Sequence, residues 1–179
     1  MLFEKNMKKL ILTLLSILTT TFCLCQETIT VFDIARKGTL EQMKEMVKKN
    51  PKAVNSINKD GFSPLTLACY RENNEVAKFL IDKGSNINQK SSMGTPLMAA
   101  VVKGNREMVT ILLNNKADIN ETDENGVTAL IYAVQFRNIE AVKALLQNKA
   151  DKTKIDKQGK TAFEYAVFSG NEEIINVLK

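Results

Sequence analysis

The chain has 179 residues, 44% of them hydrophobic, with 25 lysines and arginines against 20 aspartates and glutamates and no histidine. The resulting charge of +5 is a mild excess with both signs interspersed, not the basic face or stripe of a nucleic-acid binder. Without histidine, the commonest general base and metal ligand is missing.

The amino terminus reads differently from the rest. Lys5, Lys8 and Lys9 precede Leu10-Ile-Leu-Thr-Leu-Leu-Ser-Ile-Leu18, and Thr19 to Thr21 lead into Phe22-Cys-Leu-Cys-Gln26. A basic start, a short apolar run and small residues before a polar one predict a secretory signal peptide over residues 1–25, cut before Gln26. Leu10 to Cys25 falls short of the roughly 20 apolar residues a membrane span needs, which argues against an uncleaved anchor. The other alternative is a bacterial lipoprotein acylated at Cys23 or Cys25, although Phe22 and Leu24 stand where a small residue is wanted. Cleavage removes three lysines and Glu4 and leaves a charge of +3. It also leaves one cysteine, Cys69, so the mature chain has no internal disulfide and is held by packing alone. The expected location is periplasmic or secreted.

After a lead-in over residues 26–30, a helix is predicted over Val31 to Lys37 and a second over Leu40 to Lys49. In the second, Leu40, Met43, Met46 and Val47 line one face. Asn50-Pro51 ends it, because the residue before proline is pushed out of helical geometry. Four echoes of one phrase then follow: Gly61-Phe-Ser-Pro-Leu65, Gly94-Thr-Pro-Leu97, Gly126-Val-Thr-Ala-Leu130 and Gly159-Lys-Thr-Ala-Phe163. Their last residues stand 32, 33 and 33 apart, and Ala68, Ala100, Ala133 and Ala166 follow at the same intervals. The glycines sit at turn tips where positive φ is expected. Ser63, Thr95, Thr128 and Thr161 are the expected N-caps, with Pro64 and Pro96 as first helical residues.

Second helices are expected over Asn74 to Lys83, Arg106 to Asn115, Ile139 to Asn148 and Glu172 to Lys179. Their apolar stripes, such as Val76, Phe79 and Leu80, are too large for one unit to bury. A turn-helix-helix period near 33 therefore predicts a stacked solenoid with units at about 31–58, 59–90, 91–122, 123–155 and 156–179. The recurring alanine lets helices of adjacent units approach closely.

The combination Gly-x-Thr-Pro-Leu-x-x-Ala, the Leu-Leu of the second helices and the closing Ala-Asp-Ile-Asn resembles the ankyrin repeat across residues 31–179. The resemblance implies an all-α fold, an ankyrin-repeat α-solenoid of helix-turn-helix units with projecting hairpin loops, or fingers. There are departures. The family's histidine after Thr-Pro-Leu is replaced by Thr66, Met98, Ile131 and Glu164, so its hydrogen bonds are expected to be absent and stability to suffer. Lys116 and Lys149 replace the glycine that ends second helices, as Gly84 does. The third unit lacks one residue between Gly94 and Thr95, which shortens its finger.

Catalytic chemistry finds little support. Nucleophilic catalysis needs a base beside the nucleophile, and Cys69 falls on the inward side of a first helix, as a buried thiol filling space. Ser56-Ile-Asn-Lys-Asp-Gly61 begins like a calcium loop but has Leu67 where a bidentate glutamate is required. Asp118, Glu121, Asp123 and Glu124 read as a solvated acidic turn. No phosphate loop follows the dispersed glycines. The expectation is a protein without catalytic, cofactor or metal residues.

In ankyrin proteins partners are gripped by finger tips and by the exposed ends of first helices, which line a concave face. On matching positions, that face holds Lys59, Asp60, Phe62, Tyr70 and Arg71, then Ser92, Met93, Val102 and Lys103. Glu124, Asn125, Val127, Gln135 and Phe136 follow, and then Lys157, Gln158, Lys160, Phe168 and Ser169. Phe62, Tyr70, Met93, Phe136 and Phe168 are the expected anchors, because exposed aromatics and methionine are enriched at binding hot spots. Arg71, Lys103 and Lys160 would suit an acidic rim. The competing reading lays Tyr70 and Phe168 against the neighbouring first helix, while Tyr132 and Tyr165 are expected to pack inward. The resemblance implies a monomer that binds another protein, whether by holding or shielding a periplasmic enzyme or as an immunity-type blocker of a toxin. A lipid-tethered spacer is the structural alternative.

Overall fold

The computed structural model describes residues 29–179, so the signal peptide expected over residues 1–25 lies outside the described residues. Residues 31–179 form one unit of ten α-helices in consecutive pairs, with one 3-10 turn and no strand among the described residues. The first pair is α1 (Val31–Lys37) and α2 (Leu40–Lys49), followed by the 3-10 turn Pro51–Asn55. Next come α3 (Pro64–Tyr70) with α4 (Asn74–Asp82), and α5 (Pro96–Val102) with α6 (Arg106–Asn114). The last pairs are α7 (Ala129–Gln135) with α8 (Ile139–Gln147), and α9 (Ala162–Ser169) with α10 (Glu172–Leu178). No described helix is long and apolar enough to cross a membrane.

Each boundary has a local cause. Ser63, Thr95, Thr128 and Thr161 accept the backbone N–H three residues on, as N-caps do. The second helices end one residue earlier than the sequence suggested, because Lys83, Asn115, Asn148 and Lys179 are C-caps and their N–H groups close the last turn. Lys116 and Lys149 take the left-handed conformation at φ 63° and 65° where Gly84 stands at 80°.

Stacking joins like to like. Each first helix packs on the next, α1 on α3, α3 on α5, α5 on α7 and α7 on α9, and second helices meet as α2 with α4, α6 with α8 and α8 with α10. Ala35, Ala68, Ala100, Ala133 and Ala166 are all at 0% exposure, at the seam where backbones come closest. Leu65, Leu97 and Leu130 are buried by the following pair, whereas the matching Phe163 is 36% exposed, and Val167 is 53% exposed where Cys69, Val101 and Val134 are buried.

Asparagines tie the seams together. Asn55, Asn88 and Asn120 each accept the backbone N–H of a residue in the next unit, from Asn86, Asp118 and Asp151 at 2.7, 2.8 and 2.8 Å. At the head of the second helices, Asn73 donates to the Gly38 carbonyl at 2.9 Å and Asn105 to Asn74 at 2.6 Å. On the second helices a stair of ion pairs runs Lys78–Glu107, Arg106–Glu140 and Lys143–Glu173 at 2.7, 3.2 and 3.3 Å. All six side chains are well exposed, so salt screens these pairs and they add little to the burial beneath them.

The missing histidines do not leave the caps bare, which corrects the expectation of absent hydrogen bonds. Thr66 Oγ1 lies 2.9 Å from Ser63 Oγ, the Thr95 N–H donates to the Met98 sulfur at 3.4 Å, and Glu164 accepts from both the N–H and the hydroxyl of Thr161. Three of the four substitutes thus brace the N-cap with another atom, and only Ile131 brings no polar side chain to its cap.

The left-handed lysines are strained relative to glycine. Lys116→Gly and Lys149→Gly should each raise the unfolding free energy by about 0.5–1 kcal/mol, the relief of the Cβ clash less the entropy glycine adds to the unfolded chain. Urea melts of the two variants measure it, and unchanged midpoints would mean the lysines fit their turns without strain.

Candidate functional site

The fingers between units are built on one acceptor side chain each, half-buried at Asn58 and buried at Ser91, Asp123 and Asp156. Asn58 accepts from Asp60 and Phe62 N–H at 3.0 and 2.8 Å, Asp123 from Asn125 and Val127 N–H at 2.8 Å each, and Asp156 from Gln158 and Lys160 N–H at 2.9 and 3.0 Å. In the third unit Ser91 takes this place: it accepts from Met93 N–H at 3.3 Å, and its backbone pairs with Gly94 in both directions. That loop closes in four residues where the others need five, which is the shortened finger expected from the sequence. Neighbouring fingers are linked where Lys157 N–H donates to the Asn125 carbonyl at 2.8 Å. Gly126 makes this approach possible, since its φ is +77° and a Cβ there would come within 3.2 Å of Asp156 Cα and Lys157 N.

The second carboxylate oxygens of the finger aspartates face the first helices. Tyr132 donates its hydroxyl to Asp123 Oδ2 at 2.7 Å, and Tyr165 donates to Asp156 Oδ2. Burial and then the Asp123 bond push the Tyr132 hydroxyl up to about 12. For Tyr165 the Asp156 bond comes first, then burial, again raising it. Burial pushes Asp156 upward, but the bonds from Tyr165, Lys160 and Gln158 and the charge of Lys160 outweigh it and hold the carboxyl below its ordinary value. The reading of Asp123 as part of a solvated acidic turn is therefore corrected: it is buried and fixes the finger to the helix.

Where fingers and first helices meet, a recess of about 110 Å³ opens across the second, third and fourth units. Phe62, Thr66 and Tyr70 form one wall, Tyr132 and Phe136 the opposite one, and Ala99, Val102 and Met93 lie between. Five of the residues expected to contact a partner, Phe62, Tyr70, Met93, Val102 and Phe136, are thus brought together, with Met93 and Phe136 52% and 54% exposed. The cations of Arg71 and Lys103 lie over the Tyr70 ring at 5.9 and 5.4 Å from its centroid, at one lip. Tyr70 lies against the packed core, as the competing reading had it, and still lines the recess.

Other expected contact residues stand apart from it. Phe168 is 87% exposed and does not lie down on its neighbour; Lys160 reaches over both Tyr165 and Phe168 at 5.5 and 5.6 Å and makes a second, smaller apolar station. Asp60 and Glu124 line an adjoining trough between finger tips. Lys59, Asn125, Gln135 and Lys157 are exposed along the same face. Val127 is buried and offers a partner nothing, because its N–H and side chain serve the finger. Tyr132, passed over as an inward residue, is half-buried and lines the recess. Its signal is the aspartate three residues before the glycine in the last two fingers, Asp123 and Asp156, each facing a tyrosine nine residues on.

Among the described residues no group of histidine, cysteine, aspartate and glutamate side chains is placed to hold a metal ion. Cys69 is wholly buried and desolvation pushes its thiol up to about 12, so little nucleophilic thiolate forms at neutral pH.

A family model described as ankyrin repeats in three copies matches residues 31–123 and 115–179. The chain belongs to the ankyrin-repeat family. It is 35% identical over 101 residues to ankyrin repeat and SAM domain-containing protein 6 of Rattus norvegicus, covering 55% of this chain and 11% of that one. It is 46% identical over 68 residues to ankyrin repeat and KH domain-containing protein 1 of Homo sapiens, covering 38% and 3%. Over 96 residues it is 32% identical to the ANK repeat-containing protein nipk-1 of Caenorhabditis elegans, covering 51% and 16%. The chain thus spans less than a fifth of the length of these relatives. Ankyrin repeats are generally non-enzymatic modules for protein partners, and the geometry here offers a surface for one.

Two variants separate the parts of a finger. Asp123→Ala should cost about 2–3 kcal/mol, since it orphans two backbone donors and the Tyr132 hydroxyl, whereas Tyr132→Phe should cost about 1 kcal/mol; equal losses in chemical denaturation would contradict the keystone role of the carboxylate. Because the folded value of Asp156 is depressed, its stabilisation is complete above its ordinary value of 3.8 and is lost as pH falls through the lowered one. Asp156→Asn should flatten that part of the acid-unfolding curve, which circular dichroism against pH would record.

Proposed function

We propose that this chain is an exported ankyrin-repeat protein that binds a protein partner through the face formed by its fingers and first-helix ends. The observation that carries the reading is the recess, where aromatic and methionine side chains from three units converge on one partly open cavity. Exposed groups of this kind are costly in water and recur at the centres of interfaces. The mechanism is rigid presentation: helices locked by capping and by the asparagine seams hold the anchors in place before a partner arrives, so little ordering cost is added on binding. Lys160, Phe168, Asp60 and Glu124 extend the same face on either side of the recess. The expected leader places the mature protein in the periplasm or outside the cell, where it would hold or shield its partner.

Affinity capture with the mature chain, repeated with Phe62, Met93 and Phe136 changed to serine, tests the surface. Proteins captured by the parent should be lost from the triple variant while its helical content stays unchanged. An identical captured set would show that the partner uses another face.

A further inference from the structure

The recess owes its existence to one missing side chain. Counting along the repeats, Ile34, Leu67, Ala99, Tyr132 and Tyr165 occupy the same position, and only the third unit places a small residue there. The finger above it is also the short one, closed by the Ser91–Gly94 pair. At about 110 Å³ the opening equals three to four liquid water volumes of about 30 Å³ each, which is room for one side chain and not for a length of backbone.

Two guests suit an aromatic-walled recess: an alkylated ammonium held by ring faces, or a neutral apolar side chain. The charges choose between them. Arg71 and Lys103 already lie over Tyr70, so a cationic guest would meet two like charges beside the ring it needs. Among the described residues Lys103 pairs with Glu72 at 3.9 Å, a long contact to a half-exposed side chain, which leaves the ammonium able to turn to an incoming acid. Asp60 and Glu124 line the trough on the finger side, so the acid belongs on the side of the helix ends.

We infer that the recess takes a single neutral apolar side chain, leucine-like in size, from a partner segment that places a carboxylate beside it within reach of Lys103 and Arg71. This inference rests on the partner-binding reading of the face and narrows it to one chemistry. The third unit is the specificity element, and its neighbours supply the walls.

The probes are three synthetic peptides, acetyl-Asp-Asp-Xaa-Gly-Ser-amide with leucine, trimethyl-lysine or glycine at Xaa, titrated against the mature chain carrying ¹³C-methyl methionine. The leucine peptide should shift the Met93 methyl resonance at millimolar concentration, with an affinity that falls as salt rises, and the other two should not. Lys103→Glu should weaken the leucine peptide roughly tenfold. Ala99→Leu should abolish its effect while folding normally, since Leu67 fills the same position in the second unit; circular dichroism checks the fold. A response to trimethyl-lysine, no response to leucine, or an Ala99→Leu protein that binds like the parent would each overturn the inference. The broader reading fails separately: if captured proteins are lost with the triple serine variant but retained by Ala99→Leu, the face binds a partner and the recess is not its anchor point.

Discussion

The close approach of successive first helices is the constraint on which residues 31–179 depend. No pair encloses a core of its own; the second, third and fourth each lend one apolar face to the pair before and one to the pair after. The approach is possible because alanine stands at the seam in every unit, and all five alanines are sealed from solvent. A larger side chain at any of them would drive two layers apart, and overpacking of this kind typically costs 1–3 kcal/mol. The asparagine bonds from one unit to the backbone of the next then fix the spacing that burial leaves soft.

Repetition also explains how a binding surface arises without any dedicated element. The seam positions are held to one residue type by packing, while the finger tips and the exposed ends of first helices face solvent and are free to differ. Function is written in those differences. The third unit departs from the pattern twice, by Ala99 and by its short finger, and both departures border the same opening. Phe62, Tyr70, Tyr132 and Phe136 come from units on either side, so the site belongs to the stack and not to any one repeat.

The sequence disclosed much of this because ankyrin signals are local. Caps, turn glycines and helical periodicity depend on residues within four positions of each other, and Ser63, Thr95, Thr128 and Thr161 act as read. Contacts about 30 residues apart were harder to see. Asn88 and Asn120 looked like ordinary turn residues, because a turn asparagine and one that reaches the next unit have the same local setting. Asp123 sat among other acids and looked solvated, since burial comes from the stack above it. Ala99 carried no signal alone; its meaning appears when it is compared with Leu67 and Tyr132 in register. Phe62, Met93, Phe136 and Phe168 are legible as candidate anchors only through the family's usual binding face, whereas the convergence of the first three on one recess and the separation of Phe168 depend on how the units stack.

Phe163 and Val167 lie open to water on α9, whereas their counterparts in the second to fourth units are covered by the pair that follows. In a nearly one-dimensional array each layer is held by its own folding energy and by its contacts on both sides. Ala99 lies in the third unit, with first helices packed on it from both sides, so local opening there must break contacts with both neighbours. The aromatic walls thus sit in layers braced from two sides, which holds their registry against thermal agitation.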